Sequence, residues 1–143
     1  MGTSSKASAL KTGAFMVIDV DHFKPVNDTY GHIAGDRVLK ACANALRKVL
    51  RDSDIIGRQG GDEFVVFCQG INDSALAEKR AIQIRKAWKK LSFKGGARHI
   101  TASIGIALAP YHGTSFRELY GNADEAMYKA KALGRDCQVL FTL

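Results

Sequence analysis

"DIIGRQGGDEFVVFC", residues 54–68, decides the fold. Its two arms, 54–59 and 62–68, are apolar and β-branched, and they flank Gly60-Gly61. That pattern reads as a β-hairpin with a two-residue turn. The turn accounts for the glycines. It does not account for Asp62 and Glu63, because a hairpin tip needs no acids.

Upstream, "FMVIDVD" (15–21) is an apolar, β-branched run, read as a buried strand that ends in Asp19 and Asp21. "HFKPVNDTYGH" (22–32) holds Pro25, Asn27 and Gly31 and reads as a short turn or broken helix. Residues 35–50 repeat apolar positions at Val38, Leu39, Cys42, Leu46, Val49 and Leu50, which is helical spacing with Asp36 in the first turn. Downstream, 73–91 reads as a helix with Asp73 or Ser74 as N-cap and Leu76, Ile84, Trp88 and Leu91 facing inward. "RHITASIGIALAP" (98–110) alternates from Ile100 to Leu108 and reads as a strand. A helix over about 115–133 is punctuated by Gly121 and capped by Gly134, and "DCQVLF" (136–141) closes with a strand.

This order gives an α+β fold. Its plan is a ferredoxin-like or palm βααββαβ core with a central antiparallel sheet flanked by helices, plus a C-terminal strand. In a split βαβ unit the first two strands run parallel and the third inserts antiparallel between them. The C-terminal end of strand one then lies beside the hairpin tip, so Asp19, Asp21, Asp62 and Glu63 converge. Clustered carboxylates repel one another unless a cation sits among them. Hard oxygen ligands on a sheet edge suit Mg²⁺ with substrate phosphates, and so suggest metal-assisted phosphoryl or nucleotidyl transfer. The plainer reading, in which Gly-Gly is only a turn and its acids are solvated, stays open on these residues alone.

The 143 residues fit one domain. At 46 % hydrophobic and 24 % charged they describe an ordinary globular protein with no membrane span. Residues 1–14 look like a tag remnant or ragged start with no signal-peptide core. Three cysteines without a C-x-x-C pair point away from disulfide or zinc frameworks and toward the cytoplasm. The net charge of +7 attracts polyanions, but the cations are dispersed, and "KAWKKL" (86–91) reads as a solvated helix face rather than a nucleic-acid patch.

Four segments resemble one family in order. "DVDHFKPVNDTYGHIAGDRVL" (19–39), "RDSDIIGRQGGDEF" (51–64), "TASIGIA" (101–107) and "ADEAMYKAKALGRD" (123–136) are similar to the motifs of GGDEF domains, the diguanylate cyclases. The likeness runs from about residue 15 to the end, which sets the expected catalytic domain at 15–143. The resemblance implies that two GTP molecules become cyclic di-GMP and two pyrophosphates across a homodimer, each copy holding one GTP.

It further implies Asp19, Asp62, Glu63 and the Val20 carbonyl as ligands of Mg²⁺ or Mn²⁺, two ions per GTP. Asp62 and Glu63 would be catalytic, with Glu63 assisting at the metal or helping to deprotonate the attacking hydroxyl. Asn27 and Asp36 would read guanine. Lys24, Lys131, Arg135 and the backbone N–H groups of His22 and Phe23 would hold phosphates, with Gly60 and Gly61 lying along the triphosphate. Arg51 and Asp54 would form an R-x-x-D site for product inhibition, though a helix-end Arg followed by an Asp turn is common in its own right. His99 and His112 are expected at the surface, and Trp88 and Phe93 in core or helix-end packing.

Two departures stand out. The family's opening helix with D-x-L-T-G-L-x-N-R has no counterpart in "MGTSSKASALKTGAF", and Asp136 stands where the family often has Asn. They keep a rival alive: a GTP- or cyclic di-GMP-binding regulatory domain with weak or no turnover. A nucleic-acid-binding ferredoxin-like domain ranks last, because the aromatic surface motifs of RNA readers are missing. A sensory or regulatory domain fused elsewhere in a longer protein is expected, and no membrane contact by this domain.

Overall fold

A computed structural model of the chain describes residues 12–93, 96 and 99–143. Five strands form one sheet in the order β2-β3-β1-β4-β5. They are β1 (Gly13–Val20), β2 (Ile55–Arg58), β3 (Glu63–Gln69), β4 (Ala102–Ala109) and β5 (Cys137–Leu140); the helices are α1 (Phe23–Tyr30), α2 (His32–Val49), α3 (Ser74–Lys89) and α4 (Phe116–Ala132). β3 lies antiparallel between β1 and β2, as expected of the split βαβ plan, and β5 adds parallel to β4.

Side-chain parity on β1 sorts the core. Ala14, Met16, Ile18 and Val20 pack toward α2 and α3, in a cluster with Leu46, Ile84 and Trp88. Phe15 and Val17 point the other way and meet Leu119, Ala123 and Met127 of α4. β1 and β4 are thus buried on both faces, which is why their runs are almost wholly apolar rather than alternating.

Several boundaries move. β1 begins at Gly13, so the last residues of the supposed ragged start belong to the sheet, paired to Gln69 and Cys68; residues 1–11 of that segment lie outside the described residues. Segment 22–32 is mostly a helix, α1, closed by Gly31, and α2 starts at His32 rather than 35, which puts Asp36 past the first turn. The hairpin loop has three residues, Gly60, Gly61 and Asp62, because the Gln59 N–H bonds the Glu63 carbonyl at 2.8 Å. Only Gly60 needs glycine's freedom there, with φ 77°. Asp73 caps α3, accepting from the Ala75 N–H at 2.8 Å. Leu76 faces out, since the buried stripe of α3 is Ala77, Ala81, Ile84 and Trp88. Trp88 is a core residue whose Nε1–H donates to the Cys42 carbonyl at 3.2 Å. His112 is half-buried rather than superficial, with Nδ1 accepting from the Leu108 N–H at 2.9 Å.

Gly105 sets the depth at which α4 sits. A Cβ there would stand 1.8 Å from the Ala123 carbonyl oxygen, so helix and strand touch backbone to backbone. Gly105→Ala is expected to cost about 1–3 kcal/mol through overpacking. Gly121→Ala, on the same helix with nothing within 4 Å of the new methyl, should instead add about 0.5–1 kcal/mol of stability. Urea midpoints of the two variants against wild type check both signs.

Candidate active site

The acids meet because of strand register. Asp19 is the direct partner of Glu63 across β1 and β3, and directly paired residues share a face of the sheet. The Val20 N–H donates to the Asp62 carbonyl at 3.1 Å, which ties the hairpin tip to the end of β1. An open cleft of ≈ 220 Å³ lies here, lined by Asp19, Val20, Asp21, Asp62, Lys131 and Arg135 and by the start of α1 from His22 to Pro25.

α4 lies over this face and meets the acids in turn. Tyr120 donates its hydroxyl to Glu63 Oε2 at 2.6 Å. Eleven residues later, three helical turns on, the Lys131 ammonium bonds Asp19 Oδ2. The Tyr120 ring is fixed by stacking on Phe116 and by an edge contact with Phe15. Asp19 Oδ1, however, is buried and has no hydrogen-bond partner.

The charges bear the cost of this crowding. Burial pushes the Asp19 carboxyl above its ordinary range, Lys131 pulls it back, and Asp62 and Asp21 push it up again. Burial likewise raises Glu63; the Tyr120 hydroxyl offsets part of that, while Asp124, Asp19 and Asp62 add to it. For Lys131, burial works against the cation, but the bond to Asp19 outweighs it and the net movement is upward. The pair is therefore uneven. Lys131 is held charged more firmly than usual and Asp19 less firmly, because Asp19 is buried and also faces like charges.

A divalent cation fits the donor set present. Asp19 Oδ1 is an orphaned carboxylate oxygen, and Asp62 and the Val20 backbone stand beside it. Among the described residues no three His, Cys, Asp or Glu side chains converge to hold an ion by themselves. Backbone carbonyl and phosphate oxygens would have to complete the shell, which is the ordinary habit of Mg²⁺.

The other expected residues fall into four groups. Lys24 lines the cleft, although its ammonium pairs with Asp28 at 3.0 Å and is mostly exposed. Gly60 and Gly61 sit at the exposed tip with open space around them. Asn27 and Asp36 do not line the acid cleft. They lie on α1 and α2, with Asn27 Nδ2 3.0 Å from His32 Nδ1.

Arg51 and Asp54 are on another side of the domain. The Asp54 side chain is fully enclosed, accepting from the Arg51 N–H at 2.9 Å and the Gln69 N–H at 3.2 Å and pairing with Arg80 at 3.4 Å. The Arg51 guanidinium bonds Asp54 and the Gln69 carbonyl but stays half exposed, at the mouth of a second cleft of ≈ 280 Å³ shared with Lys79, Arg80 and Gln83. Sequence reasoning missed Tyr120 and Arg80. The eleven-residue spacing of Tyr120 and Lys131 on one helix was the available signal for the first; nothing local marked the second.

The raised Glu63 pKa has a stability consequence with a definite sign. The folded state holds that proton more tightly than the unfolded chain, so the charged form costs stability once pH rises through the unfolded value toward the folded one. Glu63→Gln keeps an acceptor for Tyr120 and removes the charge. It should raise the urea midpoint at pH 7, and the gain should fade toward about pH 3, where the carboxyl is protonated in both states.

The family description "Diguanylate cyclase, GGDEF domain" matches residues 3–137. Diguanylate cyclase DgcP of Pseudomonas aeruginosa is 44 % identical over 124 residues, which is 84 % of this chain and 18 % of that protein. The cyclic di-GMP phosphodiesterase NbdA of the same species is 38 % identical over 131 residues, 90 % of this chain and 16 % of that protein. The chain thus spans less than a fifth of the length of these two relatives. Among solved structures, the GGDEF domain of YfiN (or TpbB) from Pseudomonas aeruginosa superposes with a TM-score of 0.87 at 36 % identity, covering 98 % of this chain and 88 % of that one. The paired acids at the end of β1 and the hairpin tip thus sit in a fold and a sequence with one common kinship, and the chain belongs to the GGDEF domain family.

Proposed function

We propose that this domain condenses two GTP molecules into cyclic di-GMP and two pyrophosphates, with two copies facing each other and each presenting one nucleotide. The observation that carries the reading is the unpartnered, buried Asp19 Oδ1 directly across from Glu63, at the edge of a cleft walled by Lys131 and Arg135.

Asp19, Asp62 and the Val20 carbonyl would hold Mg²⁺ or Mn²⁺, with Glu63 joining at the metal. Bound there, the ion would neutralise phosphate charge and stabilise the charge that builds up as the α-phosphate is attacked. Lys131 would leave Asp19 for the β- and γ-phosphates, joined by Arg135, Lys24 and the backbone N–H groups of His22 and Phe23. The open tip at Gly60 and Gly61 would let the triphosphate lie against backbone. Asn27 and Asp36 would read guanine. A carboxylate accepts from both N1–H and the 2-amino group, which adenine cannot offer, so Asp36 would select GTP. Glu63 would take the proton of the attacking 3′-hydroxyl, with Tyr120 holding its other oxygen.

Product would bind at Arg51 beside Arg80, with the enclosed Asp54 orienting both guanidinium groups. A guanidinium fork suits a guanine edge or a phosphate.

A second reading has its own support: two features fit a binding domain without turnover. Lys131 already neutralises Asp19, and a phosphodiesterase is among the relatives.

Incubation with GTP and Mg²⁺, followed by chromatography for cyclic di-GMP, separates the two. The enzyme reading expects product that disappears on chelation and falls by about two orders of magnitude or more in Asp62→Ala and Glu63→Ala. GTP binding without product would support the regulatory reading. In the same assay Arg51→Ala should leave the initial rate near wild type and weaken inhibition by added cyclic di-GMP at least about tenfold; unchanged inhibition would remove Arg51 from that role.

A further inference from the structure

Sequence spacing groups Asp21 with Asp19, and both line the cleft, but the two carboxylates have different partners. Asp21 is 6 % exposed and turned toward the far end of α4. Its Oδ1 accepts from the Ser103 hydroxyl at 2.6 Å, and its Oδ2 from the Thr101 hydroxyl at 2.8 Å and the Asp136 N–H at 3.0 Å. Arg135 Nε lies 4.0 Å from Oδ1. All these neighbours can donate, so the carboxylate is spent on the protein and is not free for a metal.

What it holds is an unusual turn. Gly134, Arg135 and Asp136 follow α4 with φ of 116°, 65° and 51°. Glycine enters that region freely; Arg and Asp do not. The Arg135 N–H still closes the helix, bonding the Ala130 carbonyl at 3.0 Å. The Asp136 N–H is the next in line, and Asp21 takes it. From the other side Arg85 and Lys89 of α3 grip the Asp136 carboxylate at 3.2 and 2.7 Å. With its Nε near Asp21, Arg135 has its terminal fork left over for the cleft it lines.

We propose that Asp21 is a positioning residue for the phosphate end of the cleft: it fixes the left-handed turn at Arg135-Asp136 and so aims Arg135 at the nucleotide's β- and γ-phosphates. This rests on the GTP reading above for the identity of the ligand. The anchoring itself concerns only the protein.

The test therefore has a ligand-free arm and a nucleotide arm. Asn in place of Asp21 offers one acceptor oxygen and turns an amino group toward donors. Asp21→Asn should speed hydrogen exchange of the Asp136 amide, read by NMR, at least about tenfold while the amides of β1 keep their protection. It should weaken binding of a non-hydrolysable GTP analogue about tenfold and leave GMP, which lacks the outer phosphates, within about twofold. In an Arg135→Ala background it should cost the analogue nothing further. Ser103→Ala, a milder change, should move both readouts the same way by less.

Unchanged Asp136 exchange in folded Asp21→Asn protein overturns the anchor. Equal losses for the GTP analogue and GMP, or losses that add to those of Arg135→Ala, overturn the link to Arg135. Wild-type protein that binds neither nucleotide overturns the GTP reading, and the exchange arm then decides the anchor by itself.

Discussion

Asp19 faces Glu63 because β3 is inserted between β1 and β2 in fixed register, and the polar chemistry of the domain is arranged around that pairing. Slipping β3 by one residue would turn Glu63 to the opposite face and carry Phe64 and Val66 away from their packing against α2 and α3. The hydrophobic pattern of the hairpin therefore holds two like charges together. The apolar burial along β1 and β3 outweighs the local repulsion, and the carboxyl pKa values are raised by burial first and by that repulsion second.

α4 makes the arrangement tolerable. Its inward residues Ala123, Ala126 and Ala130 are small and Gly105 beneath them has no side chain, so the helix lies close enough for Tyr120 and Lys131 to reach the acids. These are two different kinds of support. Tyr120 is a neutral donor that orients Glu63. Lys131 is a charge that a bound cation could replace. Among the described residues, the buried carboxylate oxygen left without a hydrogen-bond partner, Asp19 Oδ1, is where the fold leaves binding capacity unspent.

Much of this was legible beforehand. The hairpin, the apolar run of β1 and the helical spacing between them dictate a split βαβ unit, and that topology alone brings residues 19 and 62 together. The resemblance supplied roles that periodicity cannot. What sequence could not give was the direction of each side chain. Asp21 shares parity with Asp19 and was grouped with it, yet the strand ends at Val20 and the chain then swings toward Ser103 and Asp136. Asp54 matched a ligand-binding motif, yet its carboxylate is enclosed by its own neighbours. Gly60-Gly61 looked like a complete turn, and the pull of the Val20 N–H on the Asp62 carbonyl accompanies a third loop residue. In each case a long-range hydrogen bond overrode a local rule.

The strand directions also settle where the described polypeptide enters and leaves. β1 starts at Gly13 beside Ala109, the last residue of β4, and β5 runs alongside β4 to finish at Leu140 next to Ile106. β1 thus runs toward the acid rim and β5 runs away from it, so the approach to the acids is left to α1, the hairpin tip and the end of α4.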